Sequence, residues 1–292
     1  MTLRSLLYVP ASRPRMLAKL PTLRADAVVL DLEDGVAPAD KDSARDHLRE
    51  ASARGWLASG PPWSLRVNPV GSPWHSADLD LVDELRPGRV LLPKAERPES
   101  VAAVADRTSL EGPRIGLMIE TVRGVGRVRD LAGSHPRIDL LVLGSADLRL
   151  SLGARPDPER RWEFHALAET LLAARMHGCH AVDSVFFHYR DLDGLARHAR
   201  VARDLGFDGK SCIHPDQVPA IHEVFSSTAE ELSWADRILR AWVEQDGARH
   251  GVVVSDGELI ETLHLALAER ILGSGLESLC PGAHKDSRPD PK

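Results

Sequence analysis

Cysteine is scarce in this chain: Cys179, Cys212 and Cys280 are the whole complement of its 292 residues. An odd, sparse count excludes a disulfide scaffold and fits a reducing cytoplasm, which is the compartment we expect. The three thiols read as small buried hydrophobes, without a catalytic role. Positive charge is also short. Lys and Arg number 37 against 43 Asp and Glu, a net charge of −6, whereas a nucleic-acid partner would want a basic face. No apolar stretch reaches the roughly 18 residues of a membrane span. The first residues, Met1 to Ser5, run straight into a strand-like segment, so no signal peptide is expected. The stretch His177-Gly178-Cys179-His180 lacks a second ligand pair at zinc spacing and is rejected as a metal site. Gly124-Val125-Gly126 lacks the third glycine of a dinucleotide fingerprint, since Arg129 stands at that position. It reads as the start of a helix.

What is present is a repeated ending. Val28-Val29-Leu30 runs into Asp31-Leu32-Glu33-Asp34, and Ser64-Leu65 into Arg66-Val67-Asn68. Val90-Leu91-Leu92 runs into Pro93-Lys94, Ile115 to Ile119 into Glu120, and Leu140 to Leu143 into Gly144-Ser145-Ala146-Asp147. Short apolar runs suit strands buried on both faces of a parallel sheet. Parallel strands all end on one side, so these polar groups share a rim, and in a barrel that rim carries active sites.

We read eight strands: Leu6–Pro10, Ala27–Leu32, Leu65–Asn68, Arg89–Pro93, Ile115–Glu120, Leu140–Leu143, Ala181–Phe187 and Lys210–His214. Helical spacing fills the gaps, and Pro215 reads as the first-turn proline of the last helix. Roughly eight strand–helix units in about 225 residues argue a (β/α)8 TIM barrel over residues 1–226. A doubly wound open sheet is the alternative. Residues 227–275 read as a C-terminal lid or oligomerisation segment. It holds a long amphipathic helix from Thr228 to Val243, the run Val252-Val253-Val254, the turn Ser255-Asp256-Gly257, and helical spacing from Leu259 to Leu272. Residues 276–292 are rich in Pro and charge and are expected to be disordered.

Glu120 and Asp147 are the sharpest pair, two carboxylates expected on one rim at neighbouring strands. Two hard oxygen ligands, completed by water and substrate, are what Mg²⁺ prefers. The competing reading is helix capping or pairing with a nearby arginine. Arg66 can grip a substrate carboxylate with two parallel hydrogen bonds, or pair internally with Glu33 or Asp34. The acids Glu33 and Asp34 can position water or hold Arg66 and Lys94. Asp31 is the least expected of the three to have a function, and Asp34 is the one that can simply cap the next helix.

Several ordered motifs resemble the citrate lyase beta-subunit (citryl lyase) family, within the HpcH/HpaI aldolase and malyl-CoA lyase superfamily. They are Arg4 to Pro10, Leu30 to Pro38, Arg66-Val67-Asn68, Leu92-Pro93-Lys94, Ile119-Glu120-Thr121, Gly144 to Leu148 and Gly209 to Pro215. The match spans about residues 3–275. The resemblance implies a (β/α)8 barrel, a Mg²⁺ ion with Mn²⁺ as a substitute, and reversible cleavage of a β-hydroxy acyl thioester. The products would be a 2-oxo acid such as oxaloacetate and a short acyl-CoA or acyl-carrier-protein thioester. It further implies that Glu120 and Asp147 ligate the metal, that Arg66 binds the oxo acid with Gly144 and Ala146 beside it, and that the chain forms a homotrimer or hexamer. Relatives carry a Gly-x-Met-Ile-Asp-like lid motif whose aspartate works in acid–base chemistry. Here Gly257-Glu258-Leu259-Ile260-Glu261 stands there, so Glu261 is the matching acid with one more methylene.

The same chemistry can be written from the residues. Cleaving the carbon–carbon bond of a β-hydroxy thioester needs a group that lowers the hydroxyl pKa, a clamp that aligns the bond, a base for the hydroxyl proton and an acid for the enolate carbon. Glu261, Glu33 and Asp34 are candidates for the last two. Two other readings remain at this point: a metal-dependent pyruvate-type aldolase without a thioester, and a non-catalytic carrier-binding subunit of a citrate lyase complex.

Overall fold

A computed structural model describes residues 3–108 and 112–273 of the chain. The predicted runs become eight parallel strands: β1 Ser5–Pro10, β2 Ala27–Asp31, β3 Trp63–Arg66, β4 Arg89–Leu92, β5 Arg114–Ile119, β6 Ile138–Leu143, β7 His180–Asp183 and β8 Gly209–Cys212. Each pairs with the next in sequence, and β8 pairs back to β1, which closes the barrel. That closure excludes the open doubly wound sheet. The expected disordered tail and Cys280 lie outside the described residues.

Strand alternation sorts the core into two layers. Leu6 and Tyr8 of β1, Ala27 and Val29 of β2, Met118 of β5, Leu140 and Val142 of β6 and Val182 of β7 fill the barrel interior. Leu7, Val9, Val28, Leu30, Leu65, Leu117, Ile119, Leu141, Leu143 and Ala181 point outward and pack under the surrounding helices. The parity decides where the polar groups go. Asp31, Arg66, Glu120 and Gly144 continue the inward series of their strands. Asp183 follows the outward series of β7, and Lys210 shares the outward side with Cys212 on β8.

Several predicted boundaries move: β3 ends at Arg66, short of Asn68, and β8 at Cys212, short of His214. β7 stops at Asp183, and residues 184–187 leave the sheet; Val185 and Phe187 line the main cavity instead. The last barrel helix is Gln217–Phe225. Pro215 lies in the turn before it, where its carbonyl accepts from Val218 N–H. Leu259 to Glu261, read as helical, belong to a strand.

The chain divides between Phe225 and Ser226. In the second unit, Thr228 and Glu231 form a capping box at the start of the helix Ala229–Glu244. An antiparallel ribbon follows, β9 Val252–Ser255 and β10 Glu258–Glu261. Asp256 and Gly257 both take positive φ, 51° and 79°, which is what a two-residue hairpin turn demands. Ile260 pairs with Val253, and both are buried with Ile238, Trp242 and Leu265. Burial every second residue makes this stretch a strand, and the helix Thr262–Leu272 starts only after it. Among the described residues, no helix is long and apolar enough to cross a membrane.

Candidate active site

The inward polar groups meet in a cavity of about 320 Å³, lined by Asp31, Asp34, Arg66, Glu120, Gly144, Ala146 and Asp147 among others. It opens at the C-terminal ends of the strands, the rim that carries chemistry in this architecture. Parallel register explains the first contact. Asp31 stands opposite Arg66 on neighbouring strands. Arg66 Nε donates to Asp31 Oδ1 and Nη2 to Oδ2, both at 2.7 Å. Asp31 also accepts from the N–H groups of Glu33 and Gly35, at 2.8 and 2.9 Å. Asp31 therefore shapes the following loop and aims the guanidinium at once. Burial disfavours its charge, but Arg66 overrides that and holds its pKa below the usual value. The Arg66 guanidinium stacks 5.1 Å from the Tyr8 ring centroid.

Glu33 Oε2 lies 2.9 Å from Arg66 Nη1, though outside hydrogen-bond geometry. Its other oxygen accepts from Lys94 Nζ. Lys94 is the hub. Its backbone N–H donates to Glu120 Oε1 at 2.7 Å, and its ammonium reaches Asp34 at 3.5 Å and Asp147 at 3.8 Å. This requires a left-handed backbone at a non-glycine residue, with φ 49°. Burial acts against the Lys94 charge, yet Glu33 wins and raises its pKa.

Glu120 is 2% exposed. Burial, and then the charge of Glu33, push its pKa up to about 7. Gly144 follows Leu143, which pairs with Ile119 next to Glu120. A Cβ on Gly144 would stand 2.5 Å from Glu120 Oε2, so the glycine keeps open the space before that oxygen. Asp147 sits in the first turn of the helix Ser145–Leu152 and is half-buried.

These groups fit a divalent cation. The donors are hard carboxylate oxygens, Gly144 leaves a cradle at one of them, and both candidate ligands border Lys94, Glu120 at its backbone N–H and Asp147 at 3.8 Å from its ammonium. Among the described residues no three His, Cys, Asp or Glu side chains form a complete metal cage. Two carboxylates with water and substrate is the arrangement Mg²⁺ ordinarily takes.

Arg66, Glu33, Asp34, Glu120, Gly144, Ala146 and Asp147 are thus brought together at this rim. Glu261 lies in the second unit. It is exposed and caps the helix Thr262–Leu272, and its own N–H donates to His264 Nδ1 at 3.0 Å. Sequence reasoning passed over Asp31 and left Lys94 as a mere partner. It also missed Lys41, whose ammonium donates to the carbonyls of Leu32 and Glu33 at 2.7 and 2.8 Å and to Asn68 Oδ1 at 2.7 Å. The sequence signal for Asp31 was its place at the end of an apolar run; its pairing with Arg66 comes from the register of β2 and β3.

A family model described as HpcH/HpaI aldolase/citrate lyase matches residues 4–215. The (3S)-malyl-CoA thioesterase of Cereibacter sphaeroides is 37% identical over 92% of this chain and 93% of its own length. The mitochondrial citramalyl-CoA lyase of Rattus norvegicus is 32% identical over 92% of this chain and 85% of its own. Among solved structures, the CitE protein of Mycobacterium tuberculosis, in complex with magnesium, acetoacetate and coenzyme A, superposes with a TM-score of 0.79. It is 31% identical, covering 93% of this chain and 97% of that one.

Proposed function

Because the chain belongs to the HpcH/HpaI aldolase/citrate lyase family, we propose that it is a Mg²⁺-dependent carbon–carbon lyase. It cleaves or forms a citryl-like β-hydroxy acyl thioester, giving a 2-oxo acid such as oxaloacetate and a short acyl thioester. The observation that carries this reading is one cavity lined by a pre-oriented Arg66 together with the carboxylates Glu120 and Asp147. Relatives named for lyase action on citramalyl-CoA, and a neighbour solved with magnesium and coenzyme A, support it.

Asp31 takes Nε and one Nη2 proton of Arg66, and Nη1 meets Met118 Sδ at 3.5 Å and Glu33 Oε2 at 2.9 Å, so the second protons of Nη1 and Nη2 are what the guanidinium offers a substrate carboxylate. That fork aligns the breaking bond. Glu120 and Asp147 would hold the metal, which when bound lowers the hydroxyl pKa and steadies developing negative charge. Asp34, exposed at the cavity edge, and Glu33, held by Lys94, are the candidate proton carriers on the barrel. Glu261 is the candidate acid from the second unit. The resemblance supports a homotrimer or hexamer in the cytoplasm, with acyl-CoA or an acyl-carrier protein as thioester.

The relatives named thioesterase favour a second reading, hydrolysis of the same class of substrate. A Ser–His–Asp cluster bears on this reading. Ser5, His222 and Asp26 do meet, with Ser5 Oγ 2.8 Å and Asp26 Oδ1 3.3 Å from the same His222 nitrogen. One nitrogen serving both partners makes no relay. The cluster also lies at the N-terminal end of β1, the rim opposite the cavity. Incubating the protein with Mg²⁺ and malyl-, citramalyl- or citryl-CoA separates the readings. A 2-oxo acid with a shortened acyl-CoA supports the lyase, and free CoA with the intact hydroxy acid supports hydrolysis. No Mg²⁺-dependent turnover of any thioester, with aldol cleavage of free hydroxy-oxo acids instead, would leave the pyruvate-type aldolase.

A further inference from the structure

Behind the cavity lies a cluster of charges that no step of the proposed reaction uses. Arg160 is 1% exposed, and Asp183 and Lys210 are completely buried. Arg160 grips Asp183 with Nη1 at 3.0 Å and Nη2 at 2.6 Å, while Lys210 Nζ donates to Asp183 Oδ2 at 2.7 Å and to the Ser184 carbonyl at 2.6 Å. Asp183 and Lys210 are register neighbours on β7 and β8, so the sheet itself sets their spacing. Burial works against the Asp183 charge, but Arg160 and Lys210 together hold its pKa well below the usual value.

One thread leads from this cluster to the active site. Arg160 Nε donates to Glu163 Oε1 at 2.8 Å. The other Glu163 oxygen accepts from Ser145 Oγ. Ser145 opens the helix whose first turn carries Asp147. This first turn borders open space: Ser145 and Ala146 line both the 320 Å³ cavity and a second cavity of about 590 Å³. Arg160 holds a left-handed backbone, φ 61°, a conformation that costs energy for a non-glycine residue and that the surrounding bonds maintain.

We propose that Arg160 and Glu163 are positioning residues for Asp147: through Ser145 they hold the first turn of the helix Ser145–Leu152, and with it Asp147, at the cavity that Glu120 also lines. This rests on the metal reading above. Partners behind a ligand set its orientation and hence the affinity of the site.

The test is Mg²⁺ affinity by calorimetry on the full chain, well below the unfolding midpoint. A purely structural bond would lower the midpoint and leave this affinity alone. Ser145→Ala should weaken Mg²⁺ binding about tenfold, the low end for loss of such a partner. At saturating Mg²⁺ its kcat should return towards the wild-type value. Ser145→Thr, which keeps the hydroxyl, should bind Mg²⁺ like the wild type. Glu163→Ala removes both acceptors and should weaken Mg²⁺ binding at least as much. The double variant should be no worse than the worse single one, because both act on one bond. Unchanged affinity in Ser145→Ala, or additive losses in the double variant, would overturn the inference. If Glu163→Ala does not fold, the two Ser145 variants decide. Wild-type protein that binds no Mg²⁺ fails a different point, the metal reading, and is seen before any variant is made.

Discussion

Two buried charge clusters share this barrel, and they differ in which way their strands point them. Asp31, Arg66 and Glu120 face inward at a cavity and are incompletely matched: Glu33 Oε2 has no hydrogen bond, and Glu120 is pushed up to about 7. Asp183, Lys210 and Arg160 lie on the outward side of β7 and β8, and every Asp183 oxygen is taken. One residue of register separates a cluster that faces the cavity from one that stands behind it. Mismatch is the mark of a site, and complete pairing is the mark of a brace.

Removing a charge from the brace should have the largest effect. Asp183→Asn strands Arg160 and Lys210 and should cost about 3–5 kcal/mol in chemical denaturation at pH 7, as for other broken buried pairs. The pH dependence follows from the depressed pKa of Asp183. A depressed acid contributes its full stability above its unfolded value near ~3.9 and loses it as pH falls through the folded value. The gap between wild type and variant should hold steady from neutral pH to about 5 and shrink below about 4. A gap independent of pH would mean that Asp183 acts by shape and not by charge.

The site side should behave otherwise. Arg66→Lys keeps a charge beside Asp31 but loses the fork, so oxo-acid affinity should fall by roughly 1.5–3 kcal/mol, the range for a charge-assisted hydrogen bond. Mg²⁺ affinity should change little. Equal loss of both in a binding titration would make Arg66 a structural partner of Asp31 and Glu33 only.

Glu120→Gln sharpens the contrast most directly. It should abolish the Mg²⁺-linked gain in stability, on the order of 1–3 kcal/mol at saturating metal. Without metal the variant should be no less stable than the wild type, since it removes a desolvated charge next to Glu33. Metal-free unfolding at pH 8 reads this, and a marked loss there would place Glu120 with the brace.

The smallest expected effect on folding comes from the second unit. Removing residues 250–292 should leave Mg²⁺ and oxo-acid binding in place and end thioester cleavage. Retained cleavage would take Glu261 out of the reaction, leaving it the helix cap its geometry already makes it.

The strands were legible because each is a short apolar run, and the polar residue that ends each run put Arg66 and Glu120 on one rim. Register was not legible. Nothing local shows that Asp31 stands opposite Arg66, so the acid with the firmest grip ranked last of three. Lys94 was underrated because its reach depends on a left-handed backbone that a Pro-Lys pair does not announce. Arg160 sits in a Pro-rich loop, 23 residues before Asp183, and only the closed barrel brings the two together. Leu259 to Glu261 misled because apolar spacing continues smoothly into the helix after it.

Gly144 has a consequence for how the protein can change. Its missing side chain leaves the space against Glu120, and Gly35 does the same for Asp31, where a Cβ would meet Oδ2 at 2.4 Å. Neither position tolerates even alanine without displacing a carboxylate. Val185, Phe187 and Ile213, which line the same cavity, carry no such constraint. A lineage, or a directed library, is free to redraw what the apolar wall admits while the polar floor stays as it is. Substrate range can drift in this scaffold without the chemistry drifting with it.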